Sequence, residues 1–316
     1  MPHPLAFVAG VAAARLGRRS RLAIAVLRVP RLLGWPPVRS LLYRRFSWPI
    51  AKRLRTHADV SVHGGSRVEV YTDDALGRVL AISGVWEPNV TAAFRRLLGP
   101  GDVCLDVGAH IGYFTLLASR LVGPDGHVYA FEPSPRNYRA LCANLARNGV
   151  ENVTALQLAA GSSGGTAVLH EGPGTNTGRA TLNPITAELG RQRDQVVVEV
   201  TPVLARVATD ELARVRVVKI DVEGSEIDVL RSLAALLELG RTLAVFFEFT
   251  PRWADAADAP FIESLRDEHG LELYVVPGGY TLQGLFPSRV QEPVRIDAVP
   301  QHQCDLLLLR RSSAER

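Results

Sequence analysis

Apolar and polar positions change their spacing several times along this chain of 316 residues, and the most informative change falls between residues 103 and 121. Val103–Val107 forms a short run in which only Asp106 is polar, and Gly108 and Gly112 follow it. Apolar residues then recur at helical spacing as far as Leu121. Such a run is typical of a buried parallel strand, and the later spacing is typical of a helix. The region therefore predicts a strand, a glycine turn and a helix, an arrangement that points backbone N–H groups at a ligand.

The same alternation continues towards the C-terminus. Apolar runs predict strands at 127–132, 153–160, 215–221, 243–249, 271–276 and 305–309, and helical periods predict helices at 135–148, 226–239 and 260–269. Upstream, residues 67–72 and 78–82 alternate around a two-aspartate turn and predict a β-hairpin. Repeated strand and helix alternation, with no internal repeat, predicts an α/β fold with a doubly wound, mostly parallel sheet.

A second possible strand pair flanks a long segment in the middle of the chain. Residues 166–170 are predicted to pair with 196–200. The residues between these strands are too many for a simple connection. They therefore form either a lid over the site or a disordered loop.

Charge is distributed unevenly and suggests a boundary after residue 58. Residues 1–58 contain 12 Lys and Arg and no Asp or Glu, whereas 59–316 contain 24 basic and 32 acidic residues, a balance of −8. The acidic balance of the larger part disfavours nucleic acid as a partner. We expect a basic, apolar, helical N-terminal arm at 1–58 and a catalytic domain at 59–316.

The arm contains no apolar run of the ~18 residues that a membrane-spanning helix needs. Three interpretations stay open: basic amphipathic helices that attach to an anionic membrane surface, a helical cap folded on the domain, or a mis-assigned start codon. On the first interpretation, the arm could be deleted without loss of the folded domain. Because the three cysteines have neither metal nor redox spacing, we expect a cytoplasmic protein, peripheral on the inner face of the membrane if the arm attaches.

The glycine turn differs from the dinucleotide fingerprint, because His110 and Tyr113 stand where that motif needs glycine. Glu132 ends the next predicted strand, 20 residues after Gly112. A carboxylate at that position can accept hydrogen bonds from both hydroxyls of a ribose. The turn and the carboxylate together predict a ligand that contains a nucleoside.

Carboxylates also follow the later strands. Asp221 and Glu223 come after the fourth predicted strand, and Glu248 lies near the end of the fifth. At the edge of a parallel sheet, these three side chains would gather where an acceptor binds. The cluster could take a proton as a general base or hold a divalent cation. Lys219 is expected to pair with a carboxylate, and Glu226 to cap the following helix.

These motifs resemble the FkbM-type family of class I S-adenosylmethionine-dependent methyltransferases. The resemblance covers roughly residues 60–310 and rests on WEP at 86–88, GD at 101–102, DVGAHIG at 106–112, FEP at 131–133, KIDVEGSE at 219–226, and Glu248. It implies a seven-stranded sheet with one antiparallel strand, and methyl transfer from S-adenosylmethionine to an oxygen. The family usually has Asn where this chain has His110, a difference that would affect the cofactor loop.

The resemblance also implies roles for individual residues. Asp106, Gly108 and Gly112 would bind the methionine half of the cofactor and Glu132 its ribose. The full set expected to bind cofactor is Glu87, Asp106, Gly108, Ala109, His110, Gly112, Glu132, Pro133 and Ala160. The expected catalytic residues are Asp221, Glu223 and Glu248, and no residue is assigned to a metal.

The expected function is therefore O-methylation of a hydroxyl on a small molecule, sugar or lipid. A nicotinamide-dependent oxidoreductase would share the turn and Glu132 but would need glycine in place of His110. A non-catalytic cofactor-binding module at a membrane surface would not need the carboxylates Asp221 and Glu223.

Overall fold

The computed structural model describes residues 18–32, 35–190, 192 and 194–311. Its strands are β1 (His57–Val62), β2 (Ser66–Tyr71), β3 (Val103–Val107), β4 (His127–Phe131), β5 (Val153–Leu156), β6 (Ala159–Ala160), β7 (Gly165–His170), β8 (Gln195–Thr201), β9 (Val215–Ile220), β10 (Leu243–Phe249), β11 (Glu272–Val276), β12 (Val294–Arg295) and β13 (Cys304–Arg310). Its helices are α1 (Arg18–Arg28), α2 (Pro36–Leu42), α3 (Trp48–Arg53), α4 (Ala75–Ser83), α5 (Pro88–Leu97), α6 (Tyr113–Val122), α7 (Pro135–Arg147), α8 (Pro184–Gly190), α9 (Glu226–Ser232), α10 (Ala234–Glu238), α11 (Asp258–His269) and α12 (Leu282–Leu285).

The main sheet has the strand order β12-β11-β13-β10-β9-β3-β4-β5. Strands β5, β4, β3, β9 and β10 pair in parallel, and β13 runs antiparallel between β10 and β11. The predicted doubly wound, mostly parallel sheet is therefore confirmed, with the two-residue β12 added at one edge. The order reverses between β3 and β9, and ligands of such sheets bind where the order reverses.

Both faces of the sheet are buried, and β3 shows how the sequence achieves this. Val103, Leu105 and Val107 pack into the apolar core on one face, while Cys104 packs into the core on the other. All four side chains are at most 1% exposed. A strand covered on both sides is continuously apolar, so the one polar residue within β3, Asp106, is exceptional.

Three predictions about local elements need correction. Residues 78–82 belong to helix α4, and β2 pairs instead with β1, so the predicted hairpin is wrong. The Asp74 side chain accepts a hydrogen bond from the Gly77 N–H and so begins α4. The predicted strand 153–160 divides into β5 of the main sheet and β6 of a three-stranded sheet, and the predicted helix 226–239 divides into α9 and α10.

The three-stranded sheet has the order β6-β8-β7, and its β7–β8 pair confirms the predicted pairing of 166–170 with 196–200. The residues after β7 form what we call the cover segment, 171–190. It contains a short 3-10 turn at Thr177–Arg179 and helix α8. A bridge between His170 and Thr181 holds it against the end of β7.

The described part of the N-terminal segment is helical and packs on the domain. Leu27 and Ala51 are fully buried in the core that also contains α4. The Arg28 guanidinium donates hydrogen bonds to the carbonyls of Leu80 and Ala81, at 3.0 and 2.9 Å. This packing contradicts the expectation that residues 1–58 are dispensable for folding, while the domain boundary at 58 stays a prediction. Within the described ranges, no helix is both long and apolar enough to cross a bilayer.

Candidate functional site

A single cavity of about 480 Å³ lies at the carboxyl ends of β3, β4, β9 and β10. Ten of the twelve residues that the sequence proposes for the site line this cavity, namely Asp106, Gly108, Ala109, His110, Glu132, Pro133, Ala160, Asp221, Glu223 and Glu248. The two exceptions are Glu87 and Gly112. The sheet therefore brings the proposed cofactor and acceptor residues to one cleft.

The two glycines of the turn are required by packing. A Cβ on Gly108 would lie 1.8 Å from the Asp221 carbonyl oxygen, and a Cβ on Gly112 would lie 2.7 Å from Leu141 Cδ1. Both glycines have φ in the left-handed region, at +85° and +91°. Gly108 thus lets the ends of β3 and β9 approach each other, and Gly112 lets α6 begin close to α7. That either glycine contacts a cofactor stays a prediction.

Glu132 is almost fully buried at the end of β4, with 4% of its surface exposed. One of its oxygens accepts the backbone N–H of His110 at 2.7 Å, and the other accepts that of Ser134 at 3.0 Å. The Asn137 side chain also donates to this carboxylate. A carboxylate offers about four lone-pair sites, so Glu132 keeps accepting capacity beyond its two backbone hydrogen bonds. Burial raises the pKa of Glu132 to about 7, although these two hydrogen bonds oppose the shift.

Asp106 lies beneath the same turn and is 1% exposed. It accepts a hydrogen bond from the Thr115 hydroxyl at 2.6 Å. Burial raises the pKa of Asp106, and the charge of Lys219 and the Thr115 hydrogen bond oppose this shift. The carboxyl therefore connects the turn to helix α6.

His110 joins the cofactor turn to the cover segment. Its Nε2 lies 2.6 Å from the Thr177 hydroxyl, which donates to Asp74 at 3.1 Å. Because that hydroxyl gives its proton to Asp74, His110 Nε2 must be the donor. Asp74 also accepts the Thr177 backbone N–H, and Asn137 donates to the Thr177 carbonyl. Of the two sequence alternatives for this region, a lid fits the described residues.

Burial lowers the pKa of His110, which keeps its imidazole neutral. The residue also has a left-handed φ of 52°, which is uncommon outside glycine. The turn is therefore held in an unusual conformation by the contacts with Glu132 and Thr177.

The acceptor half of the cleft is acidic. Lys219 Nζ lies 2.6 Å from Asp221 and 4.7 Å from the centre of the Phe114 ring, which confirms the predicted ion pair. Burial acts to lower the pKa of Lys219, but the charges of Asp221, Glu87 and Asp106 raise it above its ordinary value. Lys219 is therefore an ammonium ion that neutralises part of this negative charge.

Glu248 and Glu223 differ in how they are held. Glu248 accepts hydrogen bonds from Thr250 at 2.9 Å, from Tyr280 at 3.1 Å, and from Gln303. The Glu223 carboxylate accepts none from the residues that the structure describes, and Glu223 lines the cavity. Burial raises the pKa of Glu223, and the neighbouring carboxylates Asp221 and Glu248 raise it further.

Sequence reasoning missed several members of this acidic half. Tyr280 and Gln303 come from loops near the C-terminus, and Asp305 pairs in register with Glu248 across β13 and β10. Glu87 lies beside Tyr280, at 3.4 Å from its hydroxyl, and its expected contact with the cofactor stays a prediction. Burial raises the pKa of Glu87 to about 7; Lys219 opposes this shift, whereas Asp221 and Glu248 add to it. Pairing β13 with β10 in this register would have placed Asp305 next to Glu248, so the strand alignment is the signal that could have located it.

The expectation that Glu226 caps the following helix needs correction, because Glu226 is itself the first residue of α9 and its side chain folds back on the preceding turn. Its carboxylate accepts the backbone N–H groups of Val222 and Gly224 at 3.0–3.1 Å. In the described part of the chain, no three His, Cys, Asp or Glu side chains converge in a geometry that could hold a metal ion. The divalent cation that the sequence leaves open therefore finds no ligand set there.

Comparison with known proteins identifies related sequences. Residues 106–273 match the methyltransferase FkbM domain. An alignment 196 positions long, which covers 54% of this chain and 73% of the methyltransferase sdnD of Sordaria araneosa, is 31% identical. A stretch of 53 residues, 17% of this chain, is 53% identical to 20% of the 31-O-demethyl-FK506 methyltransferase FkbM of Streptomyces tacrolimicus. A solved S-adenosylmethionine-dependent O-methyltransferase from Thermotoga maritima is 15% identical, with a TM-score of 0.37, over 73% of this chain and 68% of its own.

Proposed function

The chain belongs to the FkbM methyltransferase family, and on that premise we propose that it methylates a hydroxyl oxygen of a small molecule, sugar or lipid. It is a methyltransferase whose cofactor is S-adenosylmethionine. The family match also removes the nicotinamide-dependent oxidoreductase alternative.

The cofactor half of the cleft suits this cofactor. The Glu132 carboxylate has accepting capacity beyond its two backbone hydrogen bonds, which suits it to the hydroxyls of a ribose. Apolar side chains of Leu158, Leu169 and Leu182 line the same cavity and offer surface to a planar base. Carboxylates at the other end complement the positive charge of a sulfonium, which supplies an activated methyl group when the cofactor is bound.

One observation carries the proposal of O-methylation: the carboxylate of Glu223 faces the cleft without a hydrogen-bond partner among the described residues. A hydroxyl is a poor nucleophile and reacts faster when a base removes its proton. Burial and the neighbouring carboxylates raise the pKa of Glu223, so its ionised form is a stronger base than an ordinary carboxylate. Asp221 is paired with Lys219 and so fixes the position of the Lys219 ammonium. It is also suited to position the acceptor.

Replacement of Glu223 tests this assignment. Glu223→Gln keeps the shape and removes the base, so we expect turnover to fall about 10²-fold or more with unchanged cofactor affinity. Asp221→Asn is expected to lower turnover similarly, by freeing Lys219 within the cleft. Glu238→Gln, on an exposed position of α10, is the matched control and should change neither quantity.

The readouts are transfer of labelled methyl groups from S-adenosylmethionine to a cell extract and calorimetric affinity for the cofactor. Lost cofactor affinity in Glu223→Gln would move this residue to the cofactor site. Unchanged turnover would leave positioning and exclusion of water as the only contributions of the protein.

A further inference from the structure

Exposed apolar side chains are concentrated in the N-terminal helices. Sixteen large hydrophobic residues are exposed among those that the structure describes, and seven of them lie between residues 22 and 46. We call these seven the apolar surface: Leu22, Val26, Val29, Leu32, Trp35, Leu41 and Phe46. Leu32 is 86% exposed, Leu22 68% and Trp35 67%. Exposed apolar residues concentrated in one segment in this way indicate a surface that binds a partner.

Helix α1 shows that this exposure is directional. Leu22, Val26 and Val29 stand at spacings of four and three, so they lie on one side of the helical path. Leu27 lies about 140° around the helix from Leu22 and is fully buried. One side of α1, which contains Leu27, therefore packs on the domain. The other side, which contains Leu22 and Val26 and continues to Val29 just after the helix, presents apolar side chains to solvent.

Charge identifies the partner. Residues 1–58 hold 12 basic and no acidic side chains. Arg39, Arg44, Arg45, Lys52, Arg53 and Arg55 form no ion pair with any carboxylate of the described ranges. An apolar stripe among unpaired basic residues is the composition of a helix that lies in the interface of an anionic membrane.

The same helices form a wall of the catalytic cleft. Trp48, the first residue of α3, lines the cavity, and its ring packs 6.0 Å from that of Phe286. Leu285 and Trp86 line the same cavity, and the Trp86 ring lies 6.0 Å from that of Tyr280, whose hydroxyl reaches Glu248. An apolar and aromatic wall thus connects the N-terminal helices to the acidic half.

We propose that residues 22–32 and 35–55 seat the protein on an anionic membrane and that the acceptor is an amphiphile in that membrane. Its apolar part lies along the wall of Trp48, Leu285 and Trp86, and its hydroxyl reaches Glu223. This inference rests on the proposed O-methylation and specifies its substrate class.

Vesicle flotation of the full chain tests the docking surface. We expect binding to vesicles of equal parts phosphatidylglycerol and phosphatidylcholine at low salt, weaker binding at high salt, and none to phosphatidylcholine alone. The double variant Leu22→Glu with Leu32→Glu should bind at least about tenfold more weakly. Val197→Glu with Leu239→Glu adds the same charge at exposed apolar positions elsewhere and should bind like the wild type. Equal loss in both double variants, or no binding by the wild type, would overturn the docking surface.

Labelled methyl groups identify the acceptor class. When the wild type acts on a membrane fraction, label from S-adenosylmethionine should enter the organic phase on solvent extraction. The double variant of Leu22 and Leu32 should transfer at least about tenfold less label, although it binds the cofactor normally. Label confined to the aqueous phase would overturn a membrane acceptor while leaving methyl transfer intact. Wild-type protein that neither binds S-adenosylmethionine nor transfers label would instead overturn the proposed function.

Discussion

Replacing Glu132 by Ala tests how the cleft holds its cofactor. We predict that this carboxylate accepts hydrogen bonds from both ribose hydroxyls of S-adenosylmethionine. Two charge-assisted hydrogen bonds should contribute about 2–4 kcal/mol, so Glu132→Ala should lower the affinity about 30- to 1000-fold. The same change also leaves the N–H groups of His110 and Ser134 without an acceptor, so the variant's stability must be measured alongside.

The pKa of Glu132 adds a test that needs no mutation. Burial raises this pKa from 4.5 to about 7, and the ribose hydroxyls need the ionised form as their acceptor. Cofactor affinity of the wild type should therefore rise with pH, by at most about tenfold per unit, and level off above about pH 7. The free energy of unfolding of the cofactor-free protein has the opposite dependence. The folded state binds this proton more tightly than the unfolded chain, so the contribution of Glu132 to stability falls as pH rises from about 4.5 to about 7.

Calorimetric titration of S-adenosylmethionine across this pH range, with thermal unfolding of each variant, provides both measurements. Glu171→Gln is the matched control: the Glu171 charge adds to the raised pKa of Glu132, and Gln can still accept from the Ser134 hydroxyl. This variant should retain affinity at high pH and move the midpoint of the pH dependence down. A folded Glu132→Ala protein that binds within about threefold of the wild type would refute the ribose assignment.

Three further predictions concern the cover segment, the N-terminal helices and metal dependence. Thr177→Val removes the hydroxyl between His110 and Asp74. Residues 171–190 should then show faster hydrogen exchange and faster proteolysis, and the cofactor should dissociate faster. Unchanged protection of these residues would show that the contact does not hold the cover segment. Leu27→Ala should lower the free energy of unfolding, measured by urea denaturation, by about 2–5 kcal/mol, because Leu27 is buried. Leu32→Ala should change this free energy by less than about 0.5 kcal/mol, because Leu32 is exposed. Equal effects would contradict the observed burial. The Lys219 ammonium already neutralises part of the negative charge of the acidic half. The rate of methyl transfer in EDTA should therefore stay within about twofold of the rate without it. Loss of activity in EDTA would show that the reaction needs a bound cation.

The sequence determined the parallel strands and the carboxylates at their ends. A strand buried on both faces must be continuously apolar, so Val103–Val107 and Leu243–Phe249 could be recognised without knowing their neighbours. Strand ends converge at one edge of a parallel sheet, which is why Glu132, Asp221 and Glu248 could be assigned to one cleft. The turn glycines were recognised because only glycine permits both the left-handed φ and the close approach at Gly108.

Tertiary structure decided the features that depend on contacts between distant residues. Glu87 lies beside Tyr280, 193 positions away, and Thr177 lies on His110, 67 positions away, so no local spacing announces either contact. Residues 78–82 alternate like a strand but form α4, because Asp74 caps the helix and its apolar side packs beneath α1 and α3. The N-terminal segment is amphipathic whether it caps a domain or binds a membrane, and only the fold distinguishes the buried Leu27 from the exposed Leu22. Periodicity shows which residues share a face of an element, but the surface that covers that face is set by the rest of the chain.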